Sequence, residues 1–239
     1  MLEFCKTSDE MNLVMVSRLA RILLIVCGLS FGLAEAQSVI AIADFENGDL
    51  QSWEGRSFKG TTDYQIISLG TEQVLQASSK DTASGLAIKV RVDLKATPYL
   101  NWRWQVIEKL TEQNERTKHG DDYAARVYVV IDGGFQFWKT MATNYVWSSQ
   151  QSVGTSWENA YAPKNAQMLA LQDDDSTLTW HTEKRNVYQD FIRLFGDKGS
   201  EQANEKAYRY IDAIAIMTDT DDSGGKAKAY YDDIFFSAE

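Results

Sequence analysis

Strict alternation of apolar and polar residues is the feature that most constrains the fold of this 239-residue chain. Successive side chains of a strand point to opposite faces, so alternation predicts strands with one buried and one solvated face. Two segments show the pattern most clearly. Their apolar positions are Leu86, Ile88, Val90, Val92 and Leu94 in the first, and Leu100, Trp102, Trp104 and Val106 in the second. The register places Trp102 and Trp104 in the core.

Similar segments separated by turn residues recur along the rest of the chain. Further strands are predicted at 39–45, 64–69, 73–79, 123–132, 135–142, 166–172, 210–217 and 229–237. The sequence Asp132-Gly133-Gly134 predicts a tight hairpin. Helical spacing appears at 187–195, with Asn186 to cap its start and Gly196 to end it. The prediction is an all-β, jelly-roll-like antiparallel β-sandwich with one short helix inserted.

The N-terminus has the pattern of a secretory signal. A short apolar run, Ile22 to Leu33, follows Arg18 and Arg21 and precedes Ala34-Glu35-Ala36. This predicts a signal peptide over residues 1–36, with cleavage before Gln37 by the export machinery. Acidic residues before the run indicate that translation starts at Met11 or Met15. Residues 37–239 are then one periplasmic or secreted domain with no membrane span.

Charge and cysteine content narrow the partners of that domain. The chain carries 34 acidic and 24 basic residues, a net charge of −10, and an acidic surface repels nucleic acid. Cys5 and Cys27 both fall in the predicted signal segment. A lipoprotein anchored through Cys27 is the alternative to soluble export, but this cysteine lies inside the apolar run and follows the large Val26. The mature domain would have no disulfide and no thiolate.

Four motifs resemble a bacterial exported family known only as domain of unknown function 3047. They cover residues 120–128, 145–149, 183–187 and 215–221, in an order that spans most of the predicted domain. The resemblance implies a shared fold and supplies no activity. The chain ends also resemble carbohydrate-binding modules, through Asp44-Phe45-Glu46-Asn47-Gly48 near the start and Asp232-Asp233 in the last apolar strand.

Aromatic side chains carry the first hypothesis about function, because sugar rings stack on them while charged groups bond the hydroxyls. The tryptophans considered are Trp138, Trp147 and Trp180. Tyr145 shares a strand face with Trp147, and Arg126 points away from the apolar stripe of its own strand. Arg185, at the junction of a strand and the helix, completes the candidate ligand-binding set. The alternative is that the tryptophans are core residues and that Arg126 pairs with a buried carboxylate such as Asp190.

An acidic loop carries the second hypothesis. Asp219, Asp221 and Ser223 place oxygen ligands at alternate positions before Gly224, as in the first half of a calcium-binding loop. An EF-hand is excluded because its final glutamate would fall at Tyr230. Structural calcium is therefore the candidate cofactor, and a solvated turn is the alternative.

No catalytic motif stands out. His119 and His181 are the only histidines and have no metal-ligand spacing, and no nucleophile elbow or phosphate loop is present. The sequence thus favours a non-catalytic binding module for a glycan or another cell-envelope ligand. Two alternatives stay open: a polysaccharide lyase or hydrolase using the same concave face, and a structural or assembly protein of the envelope.

Overall fold

Strands dominate the computed structural model, which describes residues 38–136 and 139–239. The strands are β1 (Val39–Ala43), β2 (Glu54–Lys59), β3 (Asp63–Leu69), β4 (Glu72–Lys80), β5 (Ala83–Asp93), β6 (Tyr99–Glu108), β7 (Ala125–Ile131), β8 (Met141–Ser148), β9 (Ser156–Glu158), β10 (Ala166–Asp173), β11 (His181–Asn186), β12 (Tyr210–Met217) and β13 (Lys226–Ser237). Two helices, α1 (Val187–Phe195) and α2 (Glu201–Tyr208), lie between β11 and β12. The predicted signal peptide lies outside the described residues.

The strands form two sheets. The six-stranded sheet has the order β11-β6-β13-β4-β3, with β1 also paired to β13, and the seven-stranded sheet has the order β2-β5-β12-β7-β8-β10-β9. The all-β sandwich prediction is confirmed. One pair departs from the antiparallel arrangement, because β10 runs parallel to β8. The chain reaches β10 through β9, which pairs antiparallel with β10 at the sheet edge.

Large aromatic residues from both sheets fill the space between them. Trp102 and Trp104 of β6 are fully buried, as the alternation predicts. Trp102 packs on Tyr145 with ring centroids 5.3 Å apart, and Trp104 meets Trp147 edge-on at 5.8 Å. Such rings bury large apolar areas and dominate core energetics. Strands β6 and β8 are thus held together across the sandwich by four aromatic side chains.

The helix predicted at 187–195 is confirmed, together with its ends. The Asn186 side chain accepts a hydrogen bond from the Gln189 backbone N–H at 3.1 Å, and Gly196 has a φ of 90°. A second helix, α2, was not predicted. Its sequence has few apolar residues, and only Asn204 and Tyr208 are buried. Because no apolar stripe marks α2, helical periodicity could not reveal it.

Local strand predictions differ from the structure in two ways. β7 and β8 are antiparallel neighbours, but residues 132–140 connect them, so the predicted tight hairpin and the strand start at 135 are wrong. Gly133 is required in this connection, since a Cβ atom there would lie 2.2 Å from the Gln136 carbonyl oxygen. The strands β2, β9 and β11 were not predicted. Every residue of β2 is exposed, so β2 has no apolar alternation to detect.

Within the described part of the chain, no helix combines the length and apolar character needed to cross a membrane.

Candidate ligand-binding cavity

The candidate site lies on the outer face of the seven-stranded sheet, turned away from the six-stranded sheet. Along β7, Val127 and Val129 point into the core, so Arg126 and Tyr128 point outward. Asn144 of β8 pairs in register with Tyr128 and shares that face. The outer face therefore carries polar side chains at the centre of the sheet, where the neighbouring strands give them fixed positions.

A packed layer of loops covers one part of this face. Tyr123, from the loop before β7, and Trp157, from the edge strand β9, form a small apolar cluster with Val146, Met168 and Ala170 of the sheet. Glu115 is fully buried and holds the loop before β7 in place. Its carboxylate accepts hydrogen bonds from the Ser148 hydroxyl at 2.6 Å and from the Ser149 backbone N–H at 2.6 Å. The polar loop at 109–122 is thus anchored to β8.

Beside these loops the same face forms a cavity of about 430 Å³. This volume is within the usual range of small-molecule sites, roughly 300–1,000 Å³. The floor comes from the sheet and the walls come from loops and from the β12–β13 turn. The lining residues are Phe58, Ala83, Asp121, Arg126, Tyr128, Asn144, Asn159, Tyr161, Ala162, Ala166, Met217, Asp219, Asp221 and Asp222.

Arg126 is the central cation of the cavity floor and is 4% exposed. Its Nη2 donates to the Asp219 carboxylate at 2.7 Å and to the Asp121 carbonyl oxygen at 2.9 Å, and its Nη1 donates to the Tyr128 hydroxyl at 2.8 Å. The guanidinium also lies over the Tyr123 ring, 4.2 Å from the centroid. The remaining donor, Nε, is buried without a hydrogen-bond partner among the described residues.

Burial and neighbouring charges shift the pKa values of the floor residues in opposite directions. Burial alone would lower the pKa of the Arg126 guanidinium, but Asp219, Tyr128 and Asp121 raise it overall. Burial raises the pKa of the Asp219 carboxyl, although Arg126 opposes the shift. Burial likewise raises the pKa of Asp121, again opposed by Arg126. The Arg126 guanidinium thus favours the ionised form of both buried carboxyl groups, Asp219 and Asp121.

The wall of the cavity is built around Asn159. Its Nδ2 donates to both oxygens of Asp121 at 2.9 Å, and its Oδ1 accepts from the backbone N–H groups of Tyr161 and Ala162 at 3.0 Å. The Tyr161 hydroxyl then donates to the Asp222 carboxylate at 2.6 Å. Asn159 therefore fixes a carboxylate and an aromatic ring relative to each other.

Two exposed aromatic rings belong to the lining. Phe58 is 74% exposed and Tyr161 is 54% exposed, although large aromatic side chains are usually buried. Both belong to the cavity that also contains the Arg126 floor. The combination offers apolar ring faces to a ligand together with carboxylate, amide and guanidinium groups.

Two of the predicted metal ligands have hydrogen-bond partners within the fold. Asp219 accepts from Arg126 and from the Tyr123 backbone N–H, and the Ser223 hydroxyl accepts from the Gly225 N–H at 3.3 Å. A calcium site of Asp219, Asp221 and Ser223 stays a prediction. The carboxylates that do lie together, with ligand atoms within 4.8 Å of one another, belong to Asp122, Asp221 and Asp222. Asp122 comes from a distant loop, which sequence spacing could not reveal.

The predicted surface of Tyr145 and Trp147 is also corrected. Both rings do share one strand face, but that face is the core, and the residues are 0% and 1% exposed. The Tyr145 hydroxyl donates to the Asp190 carboxylate at 2.9 Å. Packing between the sheets buries more apolar surface than an exposed position would, so both rings belong to the core. For this pair the alternative interpretation, that the rings are core residues, is correct.

Arg185 also has a partner within the fold. It donates to the two carboxylate oxygens of Asp190 through Nε at 3.0 Å and Nη2 at 2.7 Å. The buried carboxylate considered for Arg126 is thus the partner of Arg185, while Arg126 pairs with Asp219. Arg185 lies on β11 of the six-stranded sheet and does not line the cavity. The structure gives this side chain a role in the fold, so its assignment to the same ligand site as Arg126 is corrected.

Trp180 is half-buried at the outer face of the six-stranded sheet. It stacks on Tyr230 with ring centroids 6.3 Å apart, and the Arg103 guanidinium lies 4.9 Å above its ring. Trp180 and Arg126 therefore lie on opposite outer faces of the sandwich and cannot bind one small ligand together. Trp138 lies outside the described residues.

Sequence reasoning named Arg126, Asp219 and Asp221, which all line the cavity, but missed most of the other lining residues. Phe58, Asn144, Asn159 and Tyr161 come from segments with no motif, and only the fold brings them together. Phe58 offered one signal, since it is an apolar residue in the otherwise polar segment 54–63.

A family model matches residues 51–235, and its description is "Protein of unknown function (DUF3047)". Because the match covers well over half of the chain, the protein belongs to this family. The resemblance drawn from the four motifs is confirmed. Comparison with curated proteins gave no match.

Solved structures similar to this chain include carbohydrate-binding modules. The family 11 module of cellulase Lic26A-Cel5E from Clostridium thermocellum has 13% identity and a TM-score of 0.45, covering 84% of this chain and 95% of that one. The CBM22 tandem of Paenibacillus barcinonensis Xyn10C has 11% identity and a TM-score of 0.45, covering 87% and 52%. The family 30 module of Clostridium thermocellum Cel9D-Cel44B has 10% identity and a TM-score of 0.42, covering 85% and 96%. At these values the likeness carries no argument about the ligand of this chain.

Proposed function

We propose that this protein is an exported glycan-binding module whose ligand enters the cavity on the outer face of the seven-stranded sheet. One observation carries the proposal: the exposed rings of Phe58 and Tyr161 line the same cavity as the buried polar side chains of Arg126, Asp121 and Asn144. A sugar ring has an apolar face for stacking and hydroxyl groups at its edge for hydrogen bonds.

The polar side chains of the floor and wall support a ligand that carries hydroxyl groups. Carboxylate, amide and guanidinium groups all line the cavity and can exchange hydrogen bonds with such a ligand. A purely apolar ligand would bury the surrounding carboxylates without compensation.

Binding to an array of neutral, acidic and amino-containing oligosaccharides tests the proposal. Phe58→Ala and Tyr161→Ala should each weaken retention of the bound glycan at least about tenfold, the effect of losing about 1.4 kcal/mol of stacking. Phe135→Ala is the matched control, because Phe135 is exposed and does not line the cavity. If the wild-type protein retains no glycan, or if all three variants bind equally well, the proposal is wrong.

A further inference from the structure

Negatively charged side chains outnumber positively charged ones among the residues that line the cavity. Four carboxylates, from Asp121, Asp219, Asp221 and Asp222, face one guanidinium, from Arg126. The 2.7 Å ion pair neutralises Asp219. Three carboxylates therefore remain without an equivalent cation among the lining residues.

The nearest lysines lie outside the lining and have other contacts. Lys59 Nζ donates to the Asp81 carboxylate at 2.8 Å and to the Asp221 backbone carbonyl at 2.9 Å. Lys118 Nζ lies 5.0 Å from the centroid of the Tyr161 ring. Asp122 adds a further carboxylate behind Asp221 and Asp222. Lys59 thus offsets part of the negative charge near Asp221, while the residues that line the cavity remain predominantly acidic.

From this imbalance we propose that the ligand is a glycan with a free, protonated amino group. The inference rests on the proposed glycan-binding function and defines its ligand class. A charge in a partly desolvated cavity interacts more strongly than one at an open surface. A cationic sugar would therefore gain from Asp121, Asp221 and Asp222, whereas a uronic acid or a phosphorylated sugar would be repelled.

Two features separate a sugar amine from a simple amine. The guanidinium of Arg126 and the amides of Asn144 and Asn159 line the cavity, so they favour a ligand with acceptor oxygens. The rings of Phe58 and Tyr161 favour a ligand with a flat apolar face. A polyamine supplies ammonium groups only, whereas an amino sugar supplies all three features.

The test compares two oligosaccharides that differ only in the amine. Titration calorimetry of the protein, expressed from the full chain, would use a glucosamine oligomer and the N-acetylglucosamine oligomer of the same length. A mildly acidic buffer keeps the amine protonated. The glucosamine oligomer should bind at least about tenfold more tightly, which corresponds to about 1.4 kcal/mol.

Two aspartate variants test whether the preference for the amine arises in the cavity. Asp221→Asn should lower the ratio of the two affinities clearly below that of the wild-type protein, while Asp175→Asn should leave the wild-type ratio unchanged. Asp175 is an exposed aspartate that does not line the cavity. Thermal melts of both variants establish that they are folded, so a changed ratio reports on the cavity.

Each other outcome has a defined meaning. Equal binding of both oligomers would overturn the amine inference and leave the glycan-binding proposal standing, whereas retention of no glycan on the array would overturn both. Displacement of the oligomer by spermidine at equal concentration would show that the sugar is not needed, and would overturn the inference. Loss of binding after EDTA treatment would assign Asp221 and Asp222 to a metal ion and would also overturn it.

Discussion

Arg126 and Asp219 form an ion pair of 2.7 Å in which both side chains are 4% exposed. Removing one partner of a buried pair leaves an uncompensated charge and typically costs about 3–5 kcal/mol. Arg126→Met should lower the free energy of unfolding by this amount in denaturant melts. Adding Asp219→Asn should restore part of the loss, since the isolated carboxylate is then gone.

Arg91 and Asp212 provide the control for this prediction. Their ion pair has a similar length, 2.6 Å, but the Arg91 side chain is 64% exposed. Arg91→Met should change stability by no more than about 1 kcal/mol. A loss below about 1 kcal/mol for Arg126→Met would show that the buried pair does not hold the cavity floor.

Trp147 and Phe58 should respond to truncation in opposite ways. Trp147 is 1% exposed and packs on Trp104, so Trp147→Ala leaves a core cavity and should cost about 3–5 kcal/mol. Phe58 is 74% exposed, so Phe58→Ala should change stability by about 0.5 kcal/mol or less. Denaturant melts measure both without a known ligand. A small effect of Trp147→Ala would contradict the observed burial.

Glu115 connects the loop before Asp121 to β8. Replacing Glu115 by Ala leaves the Ser148 hydroxyl and the Ser149 N–H without their buried acceptor, at a cost of about 1–3 kcal/mol. The variant should also be cut faster by protease within residues 109–122. Glu112→Ala is the control, because Glu112 is exposed in the same loop and accepts one hydrogen bond, from Gln150. Equal stability and equal cleavage of the two variants would contradict the anchoring role.

Alternation of apolar residues was enough to predict the sandwich and its tryptophan core, because burial on one face imposes a period of two. Trp102 and Trp104 were placed correctly on this basis. The same rule could not decide which face Trp147 occupies, since a strand covered on both faces offers apolar residues to each. The alternation predicted that Tyr145 and Trp147 share one face of the strand. That this face is the core is known only from the structure, in which the other sheet covers it.

The cavity was largely beyond prediction for a different reason. Its walls combine residues far apart in sequence, such as Asp121 with Asn159 and Tyr161 with Asp222. These contacts depend on how loops fold over the sheet, and loop conformation leaves no periodic pattern. Arg126 could be identified from the sequence because a charged residue on a strand face needs a partner. The partner proved to be Asp219, ninety-three positions away in sequence.

Export stays a prediction of the N-terminal pattern and has a direct test. Mass spectrometry of the protein from a cell-envelope or culture-supernatant fraction should give an N-terminal peptide that begins at Gln37. Replacing Ala34 and Ala36 with bulky residues should block cleavage and leave a heavier precursor, because the small residues define the cleavage site. An intact N-terminus at Met11 or Met15 in the cytoplasm would contradict the prediction.

The affinity for an amino sugar should fall as the pH is lowered. Burial is the main cause that raises the pKa of Asp121 and of Asp221 above the ordinary 3.8, with Asp222 adding to both shifts. Both groups therefore lose charge at a higher pH than an exposed aspartate, while the sugar amine stays protonated. Arg126 opposes the shift at Asp121, and Lys59 opposes it at Asp221.

Calorimetric titrations at a series of pH values, from the mildly acidic buffer in which the amine is protonated down to the raised pKa range of the two carboxyls, would measure the effect. The glucosamine oligomer should lose most of its advantage over the N-acetylglucosamine oligomer as the carboxylates become protonated, since their attraction for the ammonium group disappears. The N-acetylated oligomer carries no ammonium group, so its affinity should change much less with pH. Asp221→Asn should flatten the pH profile of the glucosamine oligomer, and Asp175→Asn should leave it unchanged. A glucosamine affinity that stays constant or increases as the pH falls would show that the carboxylates of this cavity do not attract the ligand.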